Sequence, residues 1–231
     1  MAIVSFVSRL HSLAEADPDH PAITCGDQSV TRAQFVQLVD DLAVELRDLG
    51  VRADDMVTIA LPNSVDWFVA FAAAWRLGAI PQPISSRLPQ REIDAIVELA
   101  DPKVLIGVPD GSVVGRATLP IGHRAPPAPA DAAPLPDVIS SAWKAPTSGG
   151  STGRPKLIVS GDPAALDDEA PPPFVRGTEG CLVMPGPLYH NGPLVWSLLS
   201  LLAGGHVVAL LRFDAEETLA KIQQLSLVNY L

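Results

Sequence analysis

Met56-Val-Thr-Ile-Ala-Leu61-Pro-Asn-Ser64 runs straight into Val65–Leu77, and Gly78 separates that stretch from Ala79-Ile80. The first six residues form an apolar run broken only by Thr58, which reads as a fully buried strand. Pro62-Asn63-Ser64 turns the chain. Val65 to Leu77 reads as a helix whose Trp67 and Trp75 belong to the core, and Gly78 stops it. Ala79-Ile80 then opens another strand. A strand, a helix and a strand in that order form the unit of a parallel sheet with right-handed crossovers.

The same order continues on both sides. Leu88 to Ala100 reads as a helix and Lys103-Val-Leu-Ile-Gly-Val108 as a strand. Upstream, Ala22–Cys25 and Ser29-Val30 flank Gly26-Asp27, a short hairpin. Thr31 caps the next helix, with Gln34 three residues on as its reciprocal partner. Phe35, Leu38, Val39, Leu42, Leu46 and Leu49 make its buried stripe, and Gly50 ends it. Met1 to Ser12 reads as an amphipathic helix without the cleavage site of a signal peptide.

From Pro109 to about Pro136 the pattern dissolves into a Pro/Ala-rich connector. A second series follows: strand Cys181–Met184, helix from about Leu194 to Ala203, the turn Gly204-Gly205, and strand His206–Leu211. Helix Asp214–Leu225, with Asp214 and Glu217 as its start signal, and the opening of a strand at Ser226–Leu231 complete it. The expected fold class is α/β, with two mostly parallel βαβ-type lobes. Residues 1–123 form the first lobe, 124–137 the connector and 138–231 the start of the second. Two similar sheets would then face each other across the loop described next.

That loop is Lys144-Ala-Pro-Thr-Ser-Gly-Gly-Ser-Thr-Gly-Arg-Pro-Lys156-Leu-Ile-Val159. Glycines let a ligand approach the main chain, and hydroxyls and N–H groups can turn toward an anion. The chain has four lysines, and Lys144 and Lys156 flank this run. The expected role is holding the phosphates of ATP. A flexible Gly/Ser linker has the same composition. Against a linker, Pro155 stiffens the exit and Leu157-Ile-Val159 reads as a buried strand starting at once. A P-loop of the NTPase type is excluded, because Arg154-Pro155 follows Gly153 where Lys-Ser/Thr is needed.

Composition limits the partners. The 231 residues are 48% hydrophobic with mean hydropathy +0.25, enough for a sizeable core. A net charge of −10 argues against nucleic acid and anionic membranes. No apolar stretch has the length of a membrane span. Cys25 and Cys181 have no ligand spacing and read as reduced core residues of a cytoplasmic protein.

Ser148-Gly-Gly-Ser-Thr-Gly-Arg-Pro-Lys156 resembles the signature loop of adenylate-forming enzymes, the acyl-CoA synthetase and AMP-dependent ligase family. That loop usually reads Thr-Ser-Gly-Thr-Thr-Gly-x-Pro-Lys, and this chain departs from it at the start. The Gly-Gly-Ser-Thr-Gly form is similar to that of bile-acid–CoA-ligase-like members. The resemblance extends over nearly the whole chain. Ala74-Trp-Arg-Leu-Gly-Ala-Ile-Pro-Gln-Pro83, Glu92 and Lys103-Val-Leu-Ile106 look like the family's first-lobe helix and strand, with Gly78 and Pro83 setting turns. Met184-Pro-Gly-Pro-Leu-Tyr-His-Asn-Gly192 resembles its second signature, an aromatic–His pair after a proline. Here the glycine follows His190 by two residues where three is usual.

The resemblance implies an acid–thiol ligase of fatty-acid or lipid metabolism. It would use ATP, Mg²⁺ and CoA to convert a carboxylic acid to acyl-AMP and then acyl-CoA. Ser148, Gly149, Gly150, Ser151, Thr152, Gly153 and Lys156 would bind the nucleotide. Thr152, Lys156 and His190 would be catalytic, and Tyr189 and His190 would lie near the carboxylate and the thiol path. No metal ligand is assigned. A surface histidine at a helix N-terminus is the plainer reading of His190, but Pro185, Pro187 and Gly192 around it favour a role. His11, His20, His123 and His206 read as structural or exposed, and Asp167-Asp168-Glu169 as a solvated run.

Family members are much longer. Their adenine-binding segment, metal-binding glutamate, ribose-binding aspartate, hinge and mobile C-terminal lysine have no match here. The chain is therefore expected to be the N-terminal part of a synthetase, inactive alone and self-associating through an unpaired strand at Leu231. The alternative from another class is a shortened, non-catalytic homologue that binds nucleotide or a partner.

Overall fold

The computed structural model describes residues 2–149, 155–170 and 180–225. It opens with β1 (Ile3–Ser5), α1 (Phe6–Ala16), β2 (Pro21–Cys25), β3 (Gln28–Thr31) and α2 (Arg32–Asp48). There follow β4 (Met56–Ile59), α3 (Val65–Arg76), β5 (Ile80–Pro83), α4 (Gln90–Ala100), β6 (Val104–Ile106) and β7 (Ala117–Leu119). The rest comprises β8 (Thr147–Gly149), β9 (Pro155–Leu157), β10 (Ala165–Asp167), β11 (Cys181–Met184), α5 (Asn191–Leu202), β12 (His206–Ala209) and α6 (Ala215–Gln224). The α/β expectation holds. The expected strand at 226–231, and self-association through it, lie outside the described residues.

Two compact units form, and neither is a continuous stretch of chain. One gathers Met1–Gln37, Pro62–Val65 and Leu166–Leu231, and the other Leu38–Leu61 and Asp66–Ala165. The expected boundary at 124–137 therefore falls inside the second unit. There the Ala128 N–H donates to Asp41, Arg47 to the Ala133 carbonyl at 2.8 Å, and Arg76 to that of Pro136. A Pro-rich segment supplies few N–H groups, so side chains of α2 and α3 hold it by its carbonyls.

The second unit's sheet runs β5-β4-β6-β7, and every pair is parallel. β4 and β6 are its inner strands; Val57, Ile59, Val104 and Leu105 are fully buried. β5 is an edge strand, which is why it tolerates Pro81 and Pro83, residues that cannot donate to a ladder. Pro83 thus lies in a strand and not in a turn. α3 carries a ladder of rings: Trp67 stacks on Phe71 at 4.8 Å between centroids, and Phe71 meets Trp75 edge-on at 5.2 Å. Gly78 ends this helix with φ 66°, a conformation that favours glycine.

The first unit's sheet runs β11-β12-β2-β3, parallel except for the β2–β3 hairpin. The hairpin therefore joins a strand that comes 184 residues later, which corrects its expected place in an N-terminal lobe. A two-stranded hairpin is marginal alone, and β12, with Val207, Val208 and Ala209 buried, gives it a neighbour. The Thr31–Gln34 capping box forms as expected: the Thr31 N–H donates to Gln34 at 2.9 Å and the Gln34 N–H to the Thr31 hydroxyl at 3.3 Å. Arg32, 6% exposed, donates to the Leu13 and Gly204 carbonyls, so one cation caps the ends of α1 and α5.

Other readings shift. The N-terminal helix begins at Phe6, capped by Ser5, which accepts from the Ser8 N–H. Leu49 is exposed, because α2 ends one residue earlier. Asp167 lies in β10, and Asp168 pairs with Arg9 at 3.1 Å. β7, β8 and β10 were not expected.

His206 is structural. It shares a 2.9 Å hydrogen bond with the Thr24 hydroxyl and lies 3.7 Å from the Cys181 sulfur. Burial, and then the neighbouring His20, push its pKa down from 6.5 to about 4. Burial also raises the Cys181 thiol to about 11. The folded state thus holds a neutral imidazole where the unfolded chain binds a proton below pH 6.5, so the contribution of His206 to folding stability falls as pH drops from about 6.5 to about 4 and is constant below. Urea titrations across that range should show a smaller acid loss for His206→Gln than for the wild-type chain. Parallel pH curves would refute the assignment.

Candidate functional site

The phosphate-loop candidate is flanked by an antiparallel pair of strands. β8 pairs with β9 in the register Thr147↔Leu157, Ser148↔Lys156 and Gly149↔Pro155. Beyond the strands the ladder continues, with the Ile158 N–H donating to Pro146 at 2.9 Å and the Ser160 N–H to Lys144 at 3.0 Å. Gly150, Ser151, Thr152 and Gly153 lie between the strands, outside the described residues. Direct cross-strand partners share a face, with Cβ atoms about 5 Å apart. Ser148 and Lys156 are therefore neighbours at the root of the loop, and Lys156 is exposed to solvent.

Thr147 and Leu157 form the other face. Leu157 packs against Ile80, Ala142 and Ala145. Thr147 accepts a 2.8 Å hydrogen bond from the Gln82 amide, whose oxygen accepts from the Thr58 hydroxyl. Thr58 and Gln82 are both fully buried. Sequence reasoning missed this chain of contacts. The available signal was a polar residue in the middle of each of two apolar strands. The exit strand was expected to be buried; instead Leu157 is half-buried, and Ile158 and Val159 are exposed. Among the described residues β9 pairs with β8 alone and joins no larger sheet.

Lys144 sits apart from Lys156 in character. Its ammonium lies 4.8 Å from the centre of the Trp143 ring, and burial lowers its pKa. The Trp143 carbonyl accepts a 2.8 Å bond from the Trp75 indole, which ties the approach to the hairpin to α3.

The second signature lies in the other unit. His190 is the exposed N-cap residue of α5 and makes no side-chain cap bond. Tyr189 is half-buried, its ring 4.3 Å from that of His190. Asn63, read from sequence as part of a turn, organises this segment. Its amide donates to the carbonyls of Gly186 at 3.0 Å and Leu210 at 2.8 Å, and its oxygen accepts from the Leu188 N–H at 2.9 Å. It is buried. The polar step between strand and helix in Pro62-Asn63-Ser64 was the visible trace of it.

The described donors suit an anion: a hydroxyl and an exposed cation on one face, on strands anchored from behind. Among the described residues, no group of three or more His, Cys, Asp or Glu side chains could hold a metal ion. None of the described helices is long and apolar enough to cross a membrane.

The family model described as AMP-binding enzyme matches residues 10–227. The chain belongs to this family. The long-chain-fatty-acid–CoA ligase FadD13 of Mycobacterium tuberculosis is 29% identical over 208 residues, covering 82% of this chain and 41% of that protein. Pyochelin synthase PchD of Pseudomonas aeruginosa is 30% identical over 246 residues, covering 94% of this chain and 45% of that one. The chain thus spans less than half the length of these curated relatives. Its fold is similar to the inhibitor-bound N-terminal domain of FACL13 from Mycobacterium tuberculosis, with TM-score 0.75, 23% identity and coverage of 97% and 61% of the two chains. It is also similar to the AMP complex of O-succinylbenzoate coenzyme A synthetase from Bacillus subtilis, with TM-score 0.76, 19% identity and coverage of 98% and 61%.

Asn63→Ala should lower stability by about 2–4 kcal/mol, since it removes three hydrogen bonds and leaves a buried N–H unpaired. Asn63→Asp should do no better at neutral pH, because a carboxylate can satisfy Leu188 but faces two carbonyls. Urea denaturation checks both. A change below about 0.5 kcal/mol for Asn63→Ala would mean that Gly186–Leu188 is held by something else.

Proposed function

We propose that this chain is part of an ATP-dependent acid–thiol ligase. One carboxylate oxygen of the acid attacks the α-phosphorus of ATP and pyrophosphate leaves, giving acyl-AMP. The sulfur of CoA then attacks the acyl carbon and AMP leaves. The observation that carries the reading is the cross-strand pairing of Ser148 with Lys156 at the root of the Ser151-Thr152-Gly153 loop, in a chain of the AMP-binding family.

The chain's own residues do positional and electrostatic work. Lys156 and the hydroxyls of Ser148, Ser151 and Thr152 hold the β- and γ-phosphates as they become the leaving group. The backbone of Gly149, Gly150 and Gly153 lets those phosphates approach. Mg²⁺ arriving with ATP would neutralise further charge on its oxygens. Tyr189 and His190 serve the acyl and thiol side, with Asn63 fixing the segment before them. The two free cysteines are consistent with a reducing cytoplasm.

The relatives support the reading, being named as a long-chain-fatty-acid–CoA ligase and a pyochelin synthase. The acid is to be found by experiment. ATP–pyrophosphate exchange, run with fatty, aromatic and steroid acids on the protein that carries this chain, should respond to one class. The Gly149-Gly150-Ser151 form keeps steroid acids in that panel. Exchange with none of them, alongside measurable ATP binding, would favour a nucleotide-binding module without turnover.

Lys156→Ala should slow exchange roughly 10- to 100-fold, the worth of a charge-assisted hydrogen bond. It should affect thiol transfer from preformed acyl-adenylate much less. Arg154→Ala is the control and should change exchange little. Wild-type exchange in Lys156→Ala would remove Lys156 from the phosphate site.

A further inference from the structure

We infer that Gln82 is a positioning residue for the Ser148–Lys156 face, acting through the Thr147 hydroxyl; this rests on reading that face as the phosphate-holding one. Gln82 stands between two prolines on an edge strand and is fully buried. An apolar side chain would fill that place in the sheet equally well. What the amide adds is direction. Its oxygen is committed to Thr58 on the neighbouring strand β4, so the amide plane is fixed and its N–H points at Thr147. Thr58 is fully buried too, so both polar side chains depend on these partners.

The hairpin is thereby held at two points of one face, Thr147 by a directional bond and Leu157 by packing. Strand alternation then sends Ser148 and Lys156 to the opposite face. A third tie, the Ala145 N–H to the Pro81 carbonyl at 3.0 Å, fixes the chain just before the strand. A one-residue slip of the hairpin would bring Lys156 inward and turn Thr147 away from Gln82. The bond therefore selects the register in which the cation and the Ser148 hydroxyl flank the loop.

The test uses Gln82→Met, Thr147→Val, their combination and Thr147→Ser. Amide exchange at 147–149, 156 and 157 and the affinity for ATP, by calorimetry, are read on each. Either single change should speed hairpin exchange roughly 10-fold, the scale of one buried hydrogen bond. The double variant should be no worse than the worse single one, and Thr147→Ser should match the wild type. General destabilisation would not produce that non-additivity or that rescue. ATP affinity should fall in parallel, several-fold. Thr147 is half-buried on the hairpin, so Thr147→Val stays informative should Gln82→Met not fold.

Unchanged hairpin exchange in Thr147→Val, or effects that multiply in the double variant, would overturn the inference. If exchange responds and ATP affinity does not, Gln82 still positions the hairpin and the phosphate reading fails. If Lys156→Ala weakens ATP binding while Thr147→Val changes neither readout, the phosphate reading stands and the role of Gln82 falls.

Discussion

A buried carboxamide carries both donors and an acceptor, and leaving any of them unpaired costs more than a satisfied bond gains. That asymmetry organises the second unit. Gln82 can be buried only if β4 offers a hydroxyl on one side and the loop hairpin offers one on the other. Every arrangement that moves the hairpin away from the sheet edge leaves an amide without a partner in an apolar site. The hairpin is short, and among the described residues β8–β9 joins no larger sheet. Its own ladder bonds would not hold it in one place. The sheet edge does so, through one polar and one apolar contact.

Asn63 repeats the solution in the other unit with the same chemistry. Its three bonds reach Gly186, Leu188 and Leu210, just past the ends of β11 and β12. The segment it fixes leads into Tyr189 and His190. In both units a side-chain amide does what a ladder cannot: it satisfies irregular backbone or a lone hydroxyl at a defined point. The residues proposed for chemistry can then be exposed, as Lys156 and His190 are, because their orientation is imposed from the buried side.

This arrangement explains what the sequence made legible. The α2 start was readable because Thr31 and Gln34 are three residues apart and bond to each other. The α3 core was readable because its rings recur at helical spacing, and Gly78 marks its end. Lys156 stands out in the sequence from the composition around it, and the structure adds its exposure on β9. The partners of Gln82 and Asn63 were not, since they lie 24 and 65 residues from the one and 123 to 147 from the other along the chain. β7, β8 and β10 have three residues each, too few for a period to show. The division into units was hidden for a related reason. β2 reads as half of a local hairpin, and nothing local says that its other edge pairs with β12.

A chain with net charge −10 would have to bind a polyphosphate by local means, because its general field repels one. Screening confines each charge to about 8 Å at physiological salt, so the nearest cations decide. Lys144 and Lys156 are both near in sequence, yet they differ in kind. Burial already disfavours the charged form of Lys144, and its ammonium lies near an indole face. Lys156 is solvated and stands directly across from a hydroxyl on the outer face of the hairpin. A solvated lysine can exchange water for phosphate oxygens with little rearrangement. The register that separates the two lysines is the one that Thr147 and Leu157 hold, so the buried face of the hairpin decides which cation the loop presents.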